Sequence, residues 1–285
     1  MLPILFRFPD WIPILGGEPI TTFGVAMFLA FLTAAWIHRK EMARVGLDPD
    51  KTWDLLFSAV VGGILGAKLY YVLLNFDLVL ADPRFLFARG GLVWYGGFLL
   101  ATLLVALHVR RLKLPLPLLA DLTAPALALA YAVGRVGCFL VGDDYGRPTA
   151  SWVGVRFPEG APPTTVEAIE RTFGVQVDPA LVERFGQVVP VHPTQLYEVG
   201  MSLLIFAFLW RIRVHRHRPG WLFMVWLALA GVERFVVEMF RVKDDRFFGP
   251  LTLAQVISIG LLVTGVVGAL RLARGASARP ATAAT

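Results

Sequence analysis

"PLLADLTAPALALAYAVGRVGCFLVGDDYGRPT", residues 117–149, decides the fold. Its run 117–140 is apolar and long enough to cross a bilayer as a helix, which takes about 20 residues. Near the end of that run stand Arg135 and the chain's only cysteine, Cys138, followed by Asp143 and Asp144. Ionisable groups in hydrocarbon are costly and call for a reason. Either the span ends here in ordinary surface loop, or charge is held at one depth for chemistry, with Cys138 as the tempting nucleophile.

Six further stretches have the same character: 20–37, 53–73, 91–108, 194–210, 220–240 and 250–270. Composition agrees with seven spans. The 285 residues are 56% hydrophobic and 17% charged, with 21 Phe and 8 Trp and a mean hydropathy of +0.65. Aromatic rings at this density suit lipid and its interfaces, and an ordinary soluble domain is excluded. One cysteine makes no internal disulfide. The N-terminal "MLPILFRFPDWIPILGGEP" lacks a basic region followed by a clean apolar stretch, so no cleaved signal peptide is expected.

The net charge of +6 would suit nucleic acid, but its distribution does not. "HRKEMARVGLDPDK", "VRRLKLP", "RIRVHRHRP" and the tail from Arg271 hold 14 of the 27 Lys and Arg residues. The other connections and the N-terminus hold 10, alongside 13 acidic residues. By the positive-inside rule the N-terminus lies outside and the C-terminus in the cytoplasm. The expected fold is therefore an all-α integral membrane protein, one polytopic domain over 1–285. The insert 141–193, amphipathic and mildly acidic, forms a small extracytoplasmic cap between spans 4 and 5. Residues 272–285 read as a disordered, low-complexity tail, and no nucleic-acid partner is expected.

Only three cations remain inside the spans: Lys68, Arg135 and Arg234. At about 1.5 Å per helical residue, Lys68 and Arg135 sit about 7–8 Å from the outer ends of their spans. Tyr95 is about one turn into span 3; Gln195, Tyr197 and Glu198 begin span 5; Glu233, Arg234 and Glu238 close span 6. Five helices thus bring polar groups to one level in the outer leaflet, while Asp54 and Asp121 lie near inner ends. Taken singly, each cation is of the kind that snorkels to the interface, and Glu238 pairs with Arg234 one turn away. Taken together they make an anion site, and a guanidinium fork suits phosphate. An anion held in the outer leaflet and open to lipid is most simply a phospholipid headgroup.

Glycines frame the same level: Gly62, Gly63 and Gly66 in "AVVGGILGAK", and Gly90, Gly91, Gly96 and Gly97 in "GGLVWYGG". Close helix packing is the preferred explanation, room for an acyl chain the alternative. P-loop, CxxC, HExxH and GxSxG motifs do not occur. His192 in "VHPTQLYE" has no ligand-spaced company, so neither a metal nor another cofactor is expected. Pro193 fits the first turn of a helix.

"GRVGCFLVGDDYGRP", "HPTQLYE" and "ERFVVEMFR", in that order, resemble the signature segments of bacterial prolipoprotein diacylglyceryl transferases, and "GAKLYYVL" and "GGLVWYGG" look like that family's second- and third-span motifs. The resemblance covers about residues 20–270. It implies an enzyme of the bacterial cytoplasmic (inner) membrane that moves the diacylglyceryl group of phosphatidylglycerol onto a lipobox cysteine thiol in a prolipoprotein signal peptide. A thioether forms and glycerol phosphate is released. Arg135 and Arg234 match the family's two essential arginines, Asp143 stands where a glutamate is common, and Glu238 matches an acid of the pattern. With Tyr95 these are the expected catalytic residues. Phosphatidylglycerol binding falls to Arg135, Arg234, Lys68, His192, Gln195, Tyr197 and Glu198.

Two positions depart from the family. Tyr95 replaces a histidine common in the third span, and tyrosine has an ordinary pKa near 10, so a base role does not transfer. Cys138 stands where asparagine is common, so a covalent enzyme thiol is not required and Cys138 reads as small buried filler. The competing classes are a lipid-binding paralogue without activity and a membrane transporter. Transporters place polar sites near the midplane and often show repeated halves; this cluster is off-centre and no repeat is visible.

Overall fold

The computed structural model describes residues 3–12, 17–82, 84, 93–242 and 246–273. Each expected span coincides with a helix of 18 or more residues: α1 Thr22–Arg44, α2 Lys51–Leu74, α4 Trp94–Arg111, α5 Leu116–Val141, α8 Thr194–Ile212, α9 Trp221–Glu238 and α10 Leu253–Ala273. Five of these, α1, α2, α5, α8 and α10, are long and apolar enough to cross a membrane. α4 ends in His108, Arg110 and Arg111, and α9 carries Glu233, Arg234 and Glu238, so composition alone does not make spans of them. Three shorter helices complete the described set, α3 Phe76–Ala81, α6 Val166–Phe173 and α7 Pro179–Phe185.

The structure adds to an all-α expectation two small antiparallel ribbons. β1 Ile4–Arg7 pairs with β2 Pro19–Thr21, and β3 Arg246–Phe248 with β4 Leu251–Thr252. Helix α1 also runs past its expected end at residue 37. The polar stretch after it stays helical because Arg44 pairs with Glu41 one turn earlier at 2.6 Å, a spacing that stabilises helices. His38 is meanwhile buried against the Thr52 hydroxyl at 3.0 Å. At the other end α10 carries through Ala273, so residues 272 and 273 of the expected tail are helical; the rest of the tail lies outside the described residues.

The chain divides into two compact units, residues 35–120 and residues 1–34 with 121–285. In the first, α2 and α4 touch backbone to backbone. A Cβ placed on Gly66 would lie 2.3 Å from the Gly96 carbonyl oxygen, and one on Gly96 equally close to that of Gly66. Gly62 and Gly97 are similarly crowded, whereas a Cβ on Gly63 would meet nothing within 4 Å. Packing explains these glycines; Gly90 and Gly91 lie outside the described residues.

In the second unit, α9 packs on α10 through Gly231 and Gly265, and α5, α8 and α9 share an apolar core of Ala124, Ala128, Ile205, Leu209 and Leu222. Gly220, at the N-cap of α9, has no side chain to cap its amides. Asp121 of α5 does so instead, accepting from Gly220 N at 2.7 Å and Phe223 N at 2.9 Å. That explains a carboxylate in an apolar helix: it satisfies orphan donors and complements the positive end of the helix. The insert after α5 has its own core, in which Tyr145, Phe157, Ile169, Val177, Val189 and Val191 are buried together. Thr165 caps α6 and Asp178 caps α7 through side-chain oxygens.

The α2–α4 contact gives a direct test. Gly66→Val forces a branched side chain into backbone and should lower the melting temperature of the detergent-solubilised protein, at a cost of about 1–3 kcal/mol or more. Gly63→Ala should leave it unchanged. Equal melting temperatures for wild type and Gly66→Val would remove the contact from the fold.

Candidate active site

Arg135 lies one and a half turns from the end of α5, and Tyr131 stands four residues before it on the same face. Facing them is Glu198 of α8, fully buried at 0% exposure. The Arg135 Nε is 2.9 Å from Glu198 Oε2. The Tyr131 hydroxyl donates to Glu198 Oε1 at 2.7 Å and accepts from Arg135 Nε and Nη2 at 3.0 and 2.9 Å. On α9, Arg234 and Glu238 pair across one turn at 2.6 Å, and Arg234 Nη1 reaches 3.9 Å from Glu198 Oε1. One buried carboxylate therefore sits between two guanidiniums from different helices.

The turn after α5 extends the network. Gly142 has φ +73° and Asp144 φ +57°, a left-handed conformation that aspartate tolerates better than most residues. Asp144 thereby bridges two arginines, with Oδ2 2.9 Å from Arg135 Nη1 and Oδ1 2.7 Å from Arg241 Nη2. Its carbonyl accepts from Arg241 Nη1 at 2.7 Å and from the Thr194 hydroxyl at 2.8 Å. Arg241, Asp144, Arg135, Glu198, Arg234 and Glu238 form a chain of alternating charge. Glu238 is tied further to the Thr252 hydroxyl at 3.2 Å. Burial raises the Asp144 pKa, but Arg241 and then Arg135 outweigh it and hold the carboxyl at about 2.

Of the residues singled out by sequence, the structure brings Arg135, Arg234, Glu198 and Glu238 together. The acid it adds is Asp144, where the sequence pointed to Asp143. Asp143 makes no ion pair among the described residues; its carbonyl accepts from the buried Gln195 amide. Burial, then the charge of Asp144, raises the Asp143 pKa above the usual carboxylate range. His192 and Tyr197 face each other, Nδ1 to hydroxyl at 2.9 Å. Both rings pack on Phe240, so they tie the start of α8 to the segment after α9. Lys68 and Tyr95 belong to the other compact unit. There Lys68 Nζ lies 5.4 Å over the Tyr71 ring, and Tyr95 begins α4 with half its surface exposed.

Sequence reasoning missed Tyr131, whose signal was its position four residues before Arg135. It also left Glu233 without a role: buried on α9, Glu233 accepts from the Ser202 hydroxyl at 2.6 Å. Cys138, Asp143 and Asp144 offer ligand atoms within 4.8 Å of one another. Arg135 Nη1, 2.9 Å from Asp144 and 3.6 Å from Cys138 Sγ, already holds the positive charge there, which does not fit a metal. Arg234, with 32% of its side chain exposed against 15% for Arg135, is the more open of the two guanidiniums. The arrangement can bind a phosphate on Arg234 while carboxylates fix the aim of both cations.

Residues 9–271 match the family model described as prolipoprotein diacylglyceryl transferase. Among similar proteins, the phosphatidylglycerol–prolipoprotein diacylglyceryl transferase of Geobacter sulfurreducens is 32% identical over 95% of this chain and 95% of its own. The protein of the same name from Xanthomonas campestris is 32% identical over 89% of this chain and 87% of its own. That from Clostridium tetani is 28% identical over 93% and 96%.

The Asp144 ion pairs predict an acid limit. The folded-state pKa of about 2 lies below the ordinary value of 3.8, so the stabilisation is complete above pH about 4 and is lost as pH falls towards 2. Melting temperatures measured from pH 6 to pH 2 should fall over that window for wild type and less steeply for Asp144→Asn, which should start lower. Superimposable profiles would mean that the pairs contribute nothing.

Proposed function

The chain belongs to the prolipoprotein diacylglyceryl transferase family, and from that premise we propose how its residues divide the work. The protein transfers the diacylglyceryl group of phosphatidylglycerol to the lipobox cysteine thiol of a prolipoprotein. It is a multi-pass protein of the bacterial inner membrane. All seven long helices cross the bilayer, with the N-terminus outside, the C-terminus cytoplasmic and the 141–193 insert as an extracytoplasmic cap. The site opens to the outer leaflet.

The observation that carries the assignment is the Glu198 carboxylate set between Arg135 and Arg234. Phosphatidylglycerol enters laterally and its phosphate binds Arg234, with Arg135 completing the anion site. The signal peptide docks from the membrane with its cysteine at the same level. The thiol sulfur attacks the glyceryl carbon bearing the phosphate. A carbon–sulfur bond forms, the carbon–oxygen bond breaks, and its electron pair leaves with glycerol phosphate. Charge grows on that phosphate in the transition state, where guanidiniums already aimed at it lower the barrier. The thiol, with an ordinary pKa near 8.5, gives its proton to Asp143, a carboxyl that burial and Asp144 make more basic than usual. Glu198, Asp144, Tyr131 and Glu238 position the arginines. His192 and Tyr197 frame the site's rim, and the buried Gln195 holds the Asp143 carbonyl.

Transfer of labelled glyceryl from phosphatidylglycerol to a lipobox peptide by purified protein tests this. Wild type should yield labelled thioether, and Arg135→Ala or Arg234→Ala should lower the rate by about 10²–10³-fold, the scale for losing one donor to developing charge. No product with wild type, or an undiminished rate in both variants, would overturn the proposal.

A further inference from the structure

In the unit of residues 35–120, α2 and α4 line a half-open cavity of about 220 Å³. Its walls are apolar, formed by Phe57, Val61, Leu104 and Leu107, and its polar groups are Ser58, His108 and Arg111. The chemistry of those three is specific. Ser58 Oγ lies 2.9 Å from the Asp54 carbonyl and 2.7 Å from His108 Nδ1. A carbonyl only accepts, and a hydroxyl has one hydrogen. Both contacts are satisfied together when Ser58 donates to Asp54 and His108 donates from Nδ1 to Ser58. In the neutral ring Nε2 is then a bare acceptor, one helical turn from the guanidinium of Arg111.

We propose that this cavity binds an anionic or zwitterionic phospholipid whose headgroup carries hydrogen-bond donors, in the leaflet that holds the start of α2 and the end of α4. The phosphate pairs with Arg111, a headgroup hydroxyl or ammonium donates to His108 Nε2, and an acyl chain lies along Phe57, Val61, Leu104 and Leu107. Three requirements converge on that ligand: an apolar wall on membrane-crossing helix α2, a cation at one end, and an acceptor beside it. Phosphatidylglycerol and phosphatidylethanolamine meet all three. Phosphatidylcholine, whose quaternary ammonium has no N–H, fails the last. This site shares no residue with the transferase machinery.

The test is photolabelling of the full-length protein in nanodiscs with phosphatidylglycerol carrying a diazirine in its acyl chain, read as label on peptides covering 53–61 and 104–111. A phosphatidylcholine probe with the same tail runs in parallel. His108→Phe and Arg111→Gln should each cut phosphatidylglycerol labelling of those peptides by about tenfold, the factor equivalent to about 1.4 kcal/mol. Leu104→Trp, which fills the cavity and keeps both polar groups, should abolish it. Phosphatidylcholine should label wild type only at the level of the variants. Equal labelling by the two lipids, or labelling unchanged in His108→Phe and Arg111→Gln, would mean that lipid passes these helices without a site and would overturn the proposal.

Discussion

The Glu198 carboxylate, wholly buried on α8, is the interaction on which the site depends. It touches Arg135 from α5 and Arg234 from α9, so three helices share one charge. Removing one partner of such a group leaves an uncompensated buried charge, costing about 3–5 kcal/mol. A pair of like-charged guanidiniums in this setting is affordable only because carboxylates alternate with them. Asp144 does the same between Arg135 and Arg241, and Glu238 closes the far end.

That alternation reconciles two demands. Phosphate recognition needs cations, while a membrane-embedded fold penalises unpaired charge. Holding Arg135 on four sides, by Tyr131, Glu198, Asp144 and Cys138, fixes its orientation before substrate arrives. Preorganised donors stabilise developing charge without reorganising during the reaction. Arg234 is the more exposed of the two, and in the proposed reaction it is the first to meet the headgroup.

The long helices and the charges clustered on α5, α8 and α9 were legible because apolar runs and buried ions are strong signals in a membrane sequence. Arg135, Arg234, Glu198 and Glu238 announced themselves by their cost in hydrocarbon. Tyr131 did not, since a tyrosine in an apolar helix is equally a ring against lipid. That Asp144 and not Asp143 pairs with Arg135 and Arg241 goes with a left-handed backbone at Asp144, φ +57°, which two adjacent aspartates in a sequence do not reveal. Asp121 capping α9 joins residues 99 apart in sequence, beyond any local pattern. Helix α1 outran its apolar stretch through the Glu41–Arg44 pair and the buried His38, as polar contacts replaced hydropathy as the reason for helix.

The most direct measurement is steady-state transfer by Glu198→Gln, which keeps the size of the side chain and one acceptor oxygen, removes the charge and turns the other acceptor into a donor. If Glu198 aims the two arginines, kcat should fall by at least about tenfold, equivalent to about 1.4 kcal/mol of transition-state stabilisation, in a protein that still purifies folded. A folded Glu198→Gln variant with wild-type kcat and KM for phosphatidylglycerol would contradict the account.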